Sequence, residues 1–398
     1  MNILYLMYFD GTRKTGHAAH ARGLAKSLEK LDVTLTIAAP GWQKVEGDKT
    51  KFFKVPHLNK PGLMDISFLL SCLVNLPRVI YRTKPDVIYA RYYKFIFILQ
   101  IFFKMLGIPV IAEYNASVRT ENKMHVRGLI SRKFHLFSEK ISLYLSNHNI
   151  YVSKIMMQEW GKSSLIDESR FSHIENGYDD DIYFPRDKIK CRAHLGLPLD
   201  KIVIGYVGSD SKEQGLEHLI LAFTEVVKKN PNTFAVIVGV DKERKSLSAL
   251  IEKEKTDGKI LIVPPVDELT AATYINSSDL CMAPYSDQVS SCRKFDQLVP
   301  YGSPMKGNPL KIFSYMGCGK PIVASYFDQA GAFLEKIGAG IGAIPGDVTD
   351  LTSKILYLIN SEEIRLNMGL VGANYAKQNC TWDQVAKKTY DIASNLVR

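Results

Sequence analysis

Short apolar runs and amphipathic stretches alternate along the chain. The first run, "MNILYLMYF", is followed by the polar loop "DGTRKTG" and then by "HAAHARGLAKSLEKL", where apolar or small residues recur at helical spacing. The run "VTLTIAAP" predicts a second strand. Strand, loop, helix and strand in this order form the repeating unit of a parallel sheet, so the start of the chain predicts an α/β domain.

The same alternation continues and then restarts. In the first half it predicts strands at "DVIYARY", "IPVIAEYN" and "HNIYVS", and helices over 95–106, from about 127 to 145 and at "KIMMQEWG". In the second half it predicts strands at "KIVIGYVGS", "FAVIVGV", "ILIVPP", "LCMAPY" and "PIVAS", and helices at "LEHLILAFTEVVKKN", "SALIEKEK", "LTAATYINS" and "NPLKIFSYMGCG". Because each short strand is followed by a helix, both halves are expected to be doubly wound α/β sheets.

The chain is long enough for two domains with separate cores, since it has 398 residues of which 46% are apolar. The pattern restarts after "NGYDDDIYFPRD" (176–187), which we interpret as the junction. We predict two Rossmann-like domains, over 1–185 and 186–380, that face each other across a cleft. A cleft of this kind is the default binding site.

Cysteine spacing and the length of the apolar tracts argue against a zinc protein and a membrane-spanning protein. No two of the six cysteines are closer than eleven residues, so we expect buried, reduced thiols in a cytosolic protein and no metal ligands. The longest apolar tract, 95–106, is far shorter than the roughly twenty residues of a membrane span. The tract "LMDISFLLSCLVNLP" is interrupted by Asp65, Asn75 and Pro77. We therefore expect no transmembrane anchor, and the N-terminus lacks the features of a signal peptide.

The basic charge is concentrated in the first part of the chain. The net charge is +10, and residues 1–150 contain 22 Lys and Arg against 10 Asp and Glu. Such a field attracts phosphorylated substrates or an anionic membrane face, although it also fits a Lys-rich soluble surface. The stretch 119–140 interleaves basic with apolar residues, which fits either a helix on an anionic membrane or an amphipathic helix packed on the sheet. No nucleic-acid reading motif is present, so we expect no nucleic-acid partner.

Local motifs point to phosphate binding in the second half. "GYVGS" (205–209) contains two glycines that would let a phosphate approach the backbone. Asn308 is a good helix N-cap and Pro309 fits the first helical position, so the free N–H groups from Leu310 onward would point out of the helix start. That end attracts phosphate, and Lys311 would add a full charge. The stretch predicts either a diphosphate site or an ordinary capped helix with a surface lysine.

An ordered set of segments resembles one known family. The segments are "TGHAAHARGLAKSL", "PDVIYARYYKF", "GIPVIAEYNAS", "HIENGYDDDIYFP", "YVGSDSKEQGLEHLILAF", "NPLKIFSYMGCGKPIVAS" and "TWDQVAKKTYDIASNL". Nearly the whole chain resembles the retaining glycosyltransferases of family 4, which have the GT-B fold. The resemblance implies an acceptor domain, a nucleotide-sugar donor domain, and a last helix, 381–398, that crosses back onto the first domain.

The resemblance also implies a chemistry. A sugar would move from a nucleoside diphosphate sugar, for which we expect a UDP-sugar, to a glycan, a lipid-linked intermediate or a small molecule. The anomeric configuration would be retained without a metal ion or other cofactor, by electrostatic stabilisation of the leaving diphosphate. The expected location is cytoplasmic, or peripheral at the inner face of the membrane.

The resemblance assigns candidate residues to both domains. Those for the donor are Gly208, Ser209, Lys212, Gln214, Val266, Pro309, Leu310, Lys311 and Ser314. Those for the acceptor side are Gly16, His20, Glu113 and Asn115. Of these, Asn115, His20 and Lys311 are the candidate catalytic residues, and no residue is assigned to a metal.

Several positions depart from the family pattern. Ser211 and Gln214 stand where the family has Arg and Lys, and Lys306 and Ser314 stand where it has two glutamates. Asn115 replaces the usual histidine. Positive charge from the long loop 286–307, which contains Arg293, Lys294 and Lys306, would compensate if the loop folds over the donor; otherwise the loop is solvated or binds a protein. The departures leave an alternative, a catalytically degenerate relative that binds a glycan or a partner glycosyltransferase.

Overall fold

The chain forms two compact α/β units. The computed structural model describes residues 1–13, 15–43, 49–60, 63–115, 129–161, 166–211, 214–241, 245–254, 256, 258–286, 310–326 and 330–397. The first unit contains Met1–Gly177 and the end of the chain from Trp382, and the second lies between them, from Tyr178 to Thr381. The predicted junction at 185 lies a few residues beyond this division.

The first unit is built on a seven-stranded parallel sheet in the order β3-β2-β1-β4-β5-β6-β7. The strands are β1 Asn2–Leu6, β2 Thr34–Ala39, β3 Lys51–Lys54, β4 Val87–Arg91, β5 Val110–Tyr114, β6 His148–Tyr151 and β7 Phe171–His173. Every residue of β4 and β5 is buried, which is why these strands are nearly continuous apolar runs. The chain reverses its direction of travel between β1 and β4, so the loops after these strands open at a switch point.

Helices cover the sheet of the first unit. They are α1 Gly16–Leu28, α2 Met64–Thr83, α3 Ile96–Met105, α4 Leu129–Leu145 and α5 Lys154–Gly161, followed at the end of the chain by α14 Trp382–Val397. The helix α14 packs against α1 and belongs to the same unit.

The second unit has a six-stranded parallel sheet in the order β10-β9-β8-β11-β12-β13. Its strands are β8 Ile202–Val207, β9 Thr233–Val238, β10 Ile260–Val263, β11 Leu280–Ala283, β12 Ile322–Ser325 and β13 Gly340–Ala343. Its helices are α6 Lys188–Leu195, α7 Leu216–Lys229, α8 Lys245–Lys253, α9 Glu268–Ser277, α10 Leu310–Gly317, α11 Ala330–Ile337, α12 Val348–Ile359 and α13 Glu362–Asn379. The switch point here lies between β8 and β11.

The apolar tract at 64–83 was not predicted as a helix. It forms one helix, α2, although its sequence contains Asp65, Asn75 and Pro77. Asp65 lies in the first turn, where a negative charge suits the helix, and Pro77 lies on the exposed side. By length and composition α2 could cross a membrane, yet Phe68 and Leu76 on its inner side belong to the buried core of the unit. Its conformation is therefore decided by packing against the sheet.

The cysteines that the structure describes follow the prediction. Cys72, Cys191, Cys281, Cys318 and Cys380 are all buried, and no disulfide joins any two of them. Burial raises the pKa of the Cys72 thiol, as expected for a thiol that serves as a small apolar side chain. Cys292 lies outside the described residues.

Candidate functional site

The second unit brings Lys311 over the loop that follows β8. Lys311 belongs to the first turn of α10, and Gly208 directly follows β8. A Cβ atom at Gly208 would lie only 2.6 Å from the Lys311 Nζ. A side chain at position 208 would therefore displace the Lys311 ammonium from this strand end.

The ammonium of Lys311 is held by neutral partners. Its Nζ donates hydrogen bonds to the Gln214 Oε1 at 2.5 Å and to the Tyr206 hydroxyl at 3.1 Å. It also lies 4.2 Å from the ring centroid of Tyr206 and 5.2 Å from that of Tyr285. Among the residues that the structure describes, no carboxylate pairs with Lys311. Lys311 is therefore a basic group with no counter-ion among the described residues.

Desolvation in these surroundings lowers the pKa of Lys311 to about 7. Burial of the amine is the cause of the shift, since no described carboxylate favours the charged form. An anion that enters the space beside Gly208 would favour the protonated amine and raise this pKa again. The site is therefore arranged to gain a positive charge when an anion binds.

Two tyrosines fix the elements around the lysine. The Tyr206 hydroxyl donates to the Ser209 carbonyl oxygen at 2.6 Å while it accepts from Lys311. The Tyr315 hydroxyl accepts from the Val207 N–H at 2.8 Å and donates to the Val207 carbonyl oxygen at 3.0 Å. Because Tyr315 belongs to α10 and Val207 ends β8, this bond holds the helix against the strand end.

The other predicted donor residues are more scattered. The side chain of Ser314 forms a hydrogen bond with Tyr183, which also belongs to the second unit. Val266 is partly buried and packs against an apolar cluster that includes Val238 and Val263. Leu310 is the first residue of α10. Lys212 and Pro309 lie outside the described residues, as do Asn308, Arg293, Lys294 and Lys306.

In the first unit, Glu113 at the end of β5 is the centre of a buried polar cluster. Its carboxylate accepts hydrogen bonds from the Tyr89 hydroxyl at 2.5 Å and from the Asn115 Nδ2 at 2.6 Å. It also lies 3.1 Å from the Arg91 NH1 and 3.0 Å from the His20 Nε2. The structure thus brings together three of the four predicted acceptor-side residues, and the fourth, Gly16, is the first residue of α1.

The charge state of Glu113 follows from its partners. Burial by itself would raise the pKa of this carboxyl, but Arg91, His20 and the hydrogen bond from Tyr89 outweigh burial and hold the pKa well below its usual range. Glu113 is therefore a carboxylate, and it orients the Asn115 amide through a charge-assisted hydrogen bond.

His20 differs from its prediction as a residue open to the acceptor. Its side chain is only 4% exposed, and its Nδ1 lies 2.8 Å from the Asn176 Oδ1. The indole of Trp382 packs edge-on against it, with the ring centroids 4.9 Å apart. Asn115 is partly exposed, so it is the member of this cluster that a ligand could contact.

The sequence analysis missed five residues of these clusters: Tyr89, Arg91, Tyr206, Tyr285 and Tyr315. Arg91 had a visible signal, a charged residue within the apolar strand "DVIYARY". A charge at a buried strand position needs a partner, and Glu113 is that partner. The tyrosines had no such signal, because aromatic residues are ordinary in strands and in buried cores.

Two family models match consecutive parts of the chain. The Glycosyltransferase Family 4 model matches residues 15–182, and the glycosyl transferases group 1 model matches residues 187–374. Between them they span all but the two ends and a short junction. The chain is a glycosyltransferase.

Known relatives of this glycosyltransferase cover its full length. An uncharacterized glycosyltransferase of Methanocaldococcus jannaschii is 22% identical, over 95% of this chain and 93% of the relative. Sucrose-phosphate synthase of Thermosynechococcus elongatus has a similar structure, with a TM-score of 0.78, 16% identity, and coverage of 99% and 98% of the two chains. HepE of Anabaena, solved in complex with UDP, has a TM-score of 0.75 and 17% identity, with coverage of 99% and 100%. HepE was also solved in complex with UDP-glucose.

The structural similarity confirms the GT-B fold of the glycosyltransferase. The two matched segments divide the candidate residues as the resemblance implied. The segment matched by the group 1 model contains Gly208 and Lys311, and the other segment contains His20, Glu113 and Asn115.

Proposed function

We propose that this glycosyltransferase moves a sugar from a UDP-sugar to a hydroxyl group of a glycan, a lipid-linked intermediate or a small molecule, with retention of configuration. The observation that carries the proposal is the Lys311 ammonium beside Gly208, where no described carboxylate neutralises it. A site of this kind fits an anionic group that approaches a glycine-lined backbone.

Lys311 would act on the leaving group. When the bond between the sugar and the diphosphate breaks, negative charge develops on the diphosphate oxygen. An ammonium held in a poorly hydrated site stabilises that charge more than water would, and it needs little reorganisation. The hydrogen bonds from Lys311 to Gln214 and Tyr206 would keep it in place.

Gln214, which stands where the family has a lysine, has a role in this arrangement. Its side-chain carbonyl accepts a hydrogen bond from Lys311, whereas a lysine would place a second ammonium there. Two adjacent ammonium groups would repel each other until an anion binds. The substitution is therefore compatible with a donor site built on one lysine.

The acceptor would be bound by the first unit. Asn115 is the partly exposed member of the buried cluster, and its amide is oriented by the Glu113 carboxylate. We propose that Asn115 contacts the transferred sugar or the acceptor hydroxyl, and that Glu113 and His20 act through it. The choice of UDP is supported by HepE, which was solved with UDP and with UDP-glucose.

The test is thermal unfolding of the whole chain with UDP-, GDP-, ADP- and dTDP-sugars and the bare diphosphates. A ligand that binds only the folded state stabilises it by about 2.7 kcal/mol at a hundredfold excess over its Kd. We expect UDP and one UDP-sugar to raise the midpoint by a few degrees, and Lys311→Met to abolish the rise while the unliganded protein stays folded. A higher midpoint with another nucleotide would show that the donor carries that nucleotide instead of UDP. An unchanged midpoint with all of them would favour the non-catalytic alternative.

Lys311→Met also tests the proposed chemistry. Loss of a group that stabilises charge in the transition state lowers kcat by on the order of 10²–10³. We expect a reduction of this size in the transfer rate at saturating donor. An unchanged kcat would remove Lys311 from the reaction.

A further inference from the structure

Three neighbouring helices of the first unit, α2, α3 and α4, share one side of its sheet. The inner sides of α2 and α3 lie in the same apolar core, where Phe68 and Leu76 join Leu99 and Phe103. The helix α4 packs along α3. The outer sides of the three helices therefore form one surface, which we call the α2–α4 face.

The α2–α4 face exposes an unusual amount of apolar side chain. Among the described residues, twenty-two large apolar side chains are exposed, and ten of them lie on these three helices. Val74 and Tyr81 on α2 are 77% and 82% exposed, and Met105 on α3 is 74% exposed. On α4, Ile130 and Phe137 are seven residues apart and thus lie on one side of the helix. Exposed apolar surface of this density marks a place where something binds.

The charges on this face all have one sign. Every exposed charged side chain of the three helices is basic: Arg78, Arg82, Lys104, Arg132, Lys133 and Lys140. Their two acids are not exposed, since Asp65 is half-buried and pairs with Lys94, and Glu139 is buried. Apolar side chains surrounded by basic ones are complementary to an anionic bilayer, in which acyl chains lie beneath negative headgroups.

We propose that the α2–α4 face binds the surface of an anionic membrane. A second copy of the chain fits poorly, because a symmetric contact would bring two basic surfaces together. Nucleic acid would leave the apolar side chains without partners. Insertion of α2 across the bilayer would remove Phe68 and Leu76 from the core, so the helix lies on the membrane.

The first test is sedimentation of the whole chain with vesicles, which requires neither donor nor acceptor. One set contains phosphatidylcholine alone, and the other contains about one-third phosphatidylglycerol. We expect binding to the anionic vesicles that weakens with salt, because the Debye length falls from about 10 Å at 0.1 M to about 3 Å at 1 M. Absent binding, or equal binding to both kinds of vesicle, would overturn the proposal.

A charge variant tests which surface binds. Each basic side chain near an anionic membrane contributes about 1 kcal/mol, so Arg78→Gln with Arg82→Gln should weaken binding roughly tenfold to thirtyfold. The matched control, Lys228→Gln with Lys229→Gln, removes the same charge from exposed positions of α7 in the second unit. Equal loss of binding in both variants would show that only net charge matters, and it would overturn the assignment of this face.

An apolar variant tests the other half of the proposal. Val74→Ser with Met105→Ser should reduce vesicle binding by roughly tenfold or more, because apolar area is no longer buried in the interface. The control, Leu366→Ser with Leu370→Ser, changes side chains on α13 that are 67% and 62% exposed, and it should bind like the wild type. All four positions are exposed, so the unfolding midpoints should agree. A different result would show that a second copy of the chain covers the face. In that case the wild type would be a dimer that does not bind vesicles, and Val74→Ser with Met105→Ser would make it a monomer.

Discussion

At the residue scale, burial lowers the pKa of Lys311, whereas burial by itself would raise the pKa of Glu113. Both groups are largely removed from water, which disfavours their charged forms. Glu113 has Arg91 and His20 beside it, so it stays ionised and its pKa falls. Among the described residues Lys311 has only neutral partners, and burial lowers its pKa to about 7, so its charge depends on what binds. The first group is a fixed charge, and the second is one that a ligand can induce.

The lysine should make nucleotide affinity depend on pH. Above pH 7 the free protein must take up a proton to present a charged Lys311 to the diphosphate, which costs up to about 1.4 kcal/mol per pH unit. We expect the affinity for UDP, measured by calorimetric titration, to fall between pH 7 and pH 9. Lys311→Arg should bind UDP with a flatter pH profile, because arginine stays protonated. Identical profiles for the two proteins would contradict this account.

Glu113 should contribute to stability as a buried charge with partners. Glu113→Gln leaves Arg91 buried without its carboxylate, which costs on the order of 3–5 kcal/mol in the free energy of unfolding. Since the folded pKa is depressed, the contribution of Glu113 is present above its unfolded pKa of about 4.3 and is lost as the pH falls further. Denaturant unfolding at several pH values measures both effects. The control, Glu225→Gln at the exposed pair with Lys228, should change stability by less than about 1 kcal/mol.

At the element scale, α1 and α14 pack closely because glycines leave room for an aromatic side chain between them. Gly23 in α1 and Gly177 both face the indole of Trp382, and a Cβ atom at either glycine would overlap the ring. The glycines are therefore required by packing, although glycine is a poor residue for a helix interior. The last helix reaches its place in the first unit through this aromatic side chain.

Gly23→Ala distinguishes packing from helix propensity. Propensity alone predicts a gain of about 1 kcal/mol, whereas overpacking against Trp382 predicts a loss of about 1–3 kcal/mol. We expect the loss, measured by denaturant unfolding. In a Trp382→Ala background the same substitution should become neutral or stabilising, which the double-mutant cycle would reveal. If Gly23→Ala stabilised the wild-type protein, α1 and α14 would be able to move apart without a loss in the free energy of unfolding.

At the scale of the whole molecule, the two parts of the chain differ in net charge. The basic excess lies within residues 1–150, whereas the rest of the chain has 29 Lys and Arg against 31 Asp and Glu. Part of this excess lies on α2, α3 and α4, where six exposed basic side chains accompany exposed apolar ones. A nearly neutral second unit that contains Lys311 is compatible with the proposed nucleotide site, and a basic first unit is compatible with the proposed membrane contact.

Transfer by the whole enzyme should be insensitive to metal removal. The positive charge that the leaving diphosphate needs is assigned to Lys311 and to the start of α10, so a divalent cation has no required role in the proposed chemistry. We expect the same initial rate in excess EDTA and in added magnesium, measured with the donor that the unfolding assay identifies. A rate that falls to background in EDTA and returns with magnesium would contradict this expectation.

Local patterns explain which elements could be predicted. The strands and helices around Gly208 and Lys311 appear in the sequence because apolar runs, turn glycines and helical periodicity are short-range features. The edge strands β3 and β7 were missed because they are short and only partly buried. The edge strand β13 was missed because it is short and two of its residues are glycines. The helix α2 was missed because packing against the sheet overrides the interruptions at Asn75 and Pro77.

The sequence by itself determined the α/β class, which follows from local spacing. From local spacing and an ordered family pattern it also predicted a phosphate-binding motif and a last helix that returns to the first domain. Only the tertiary structure decided that His20 is buried, that Glu113 pairs with Arg91, and that Lys311 has Gln214 but no described carboxylate beside it. These facts depend on neighbouring strands and on residues far apart in the chain. The charge of a buried group is set by such neighbours, so no reading of its own segment could have supplied it.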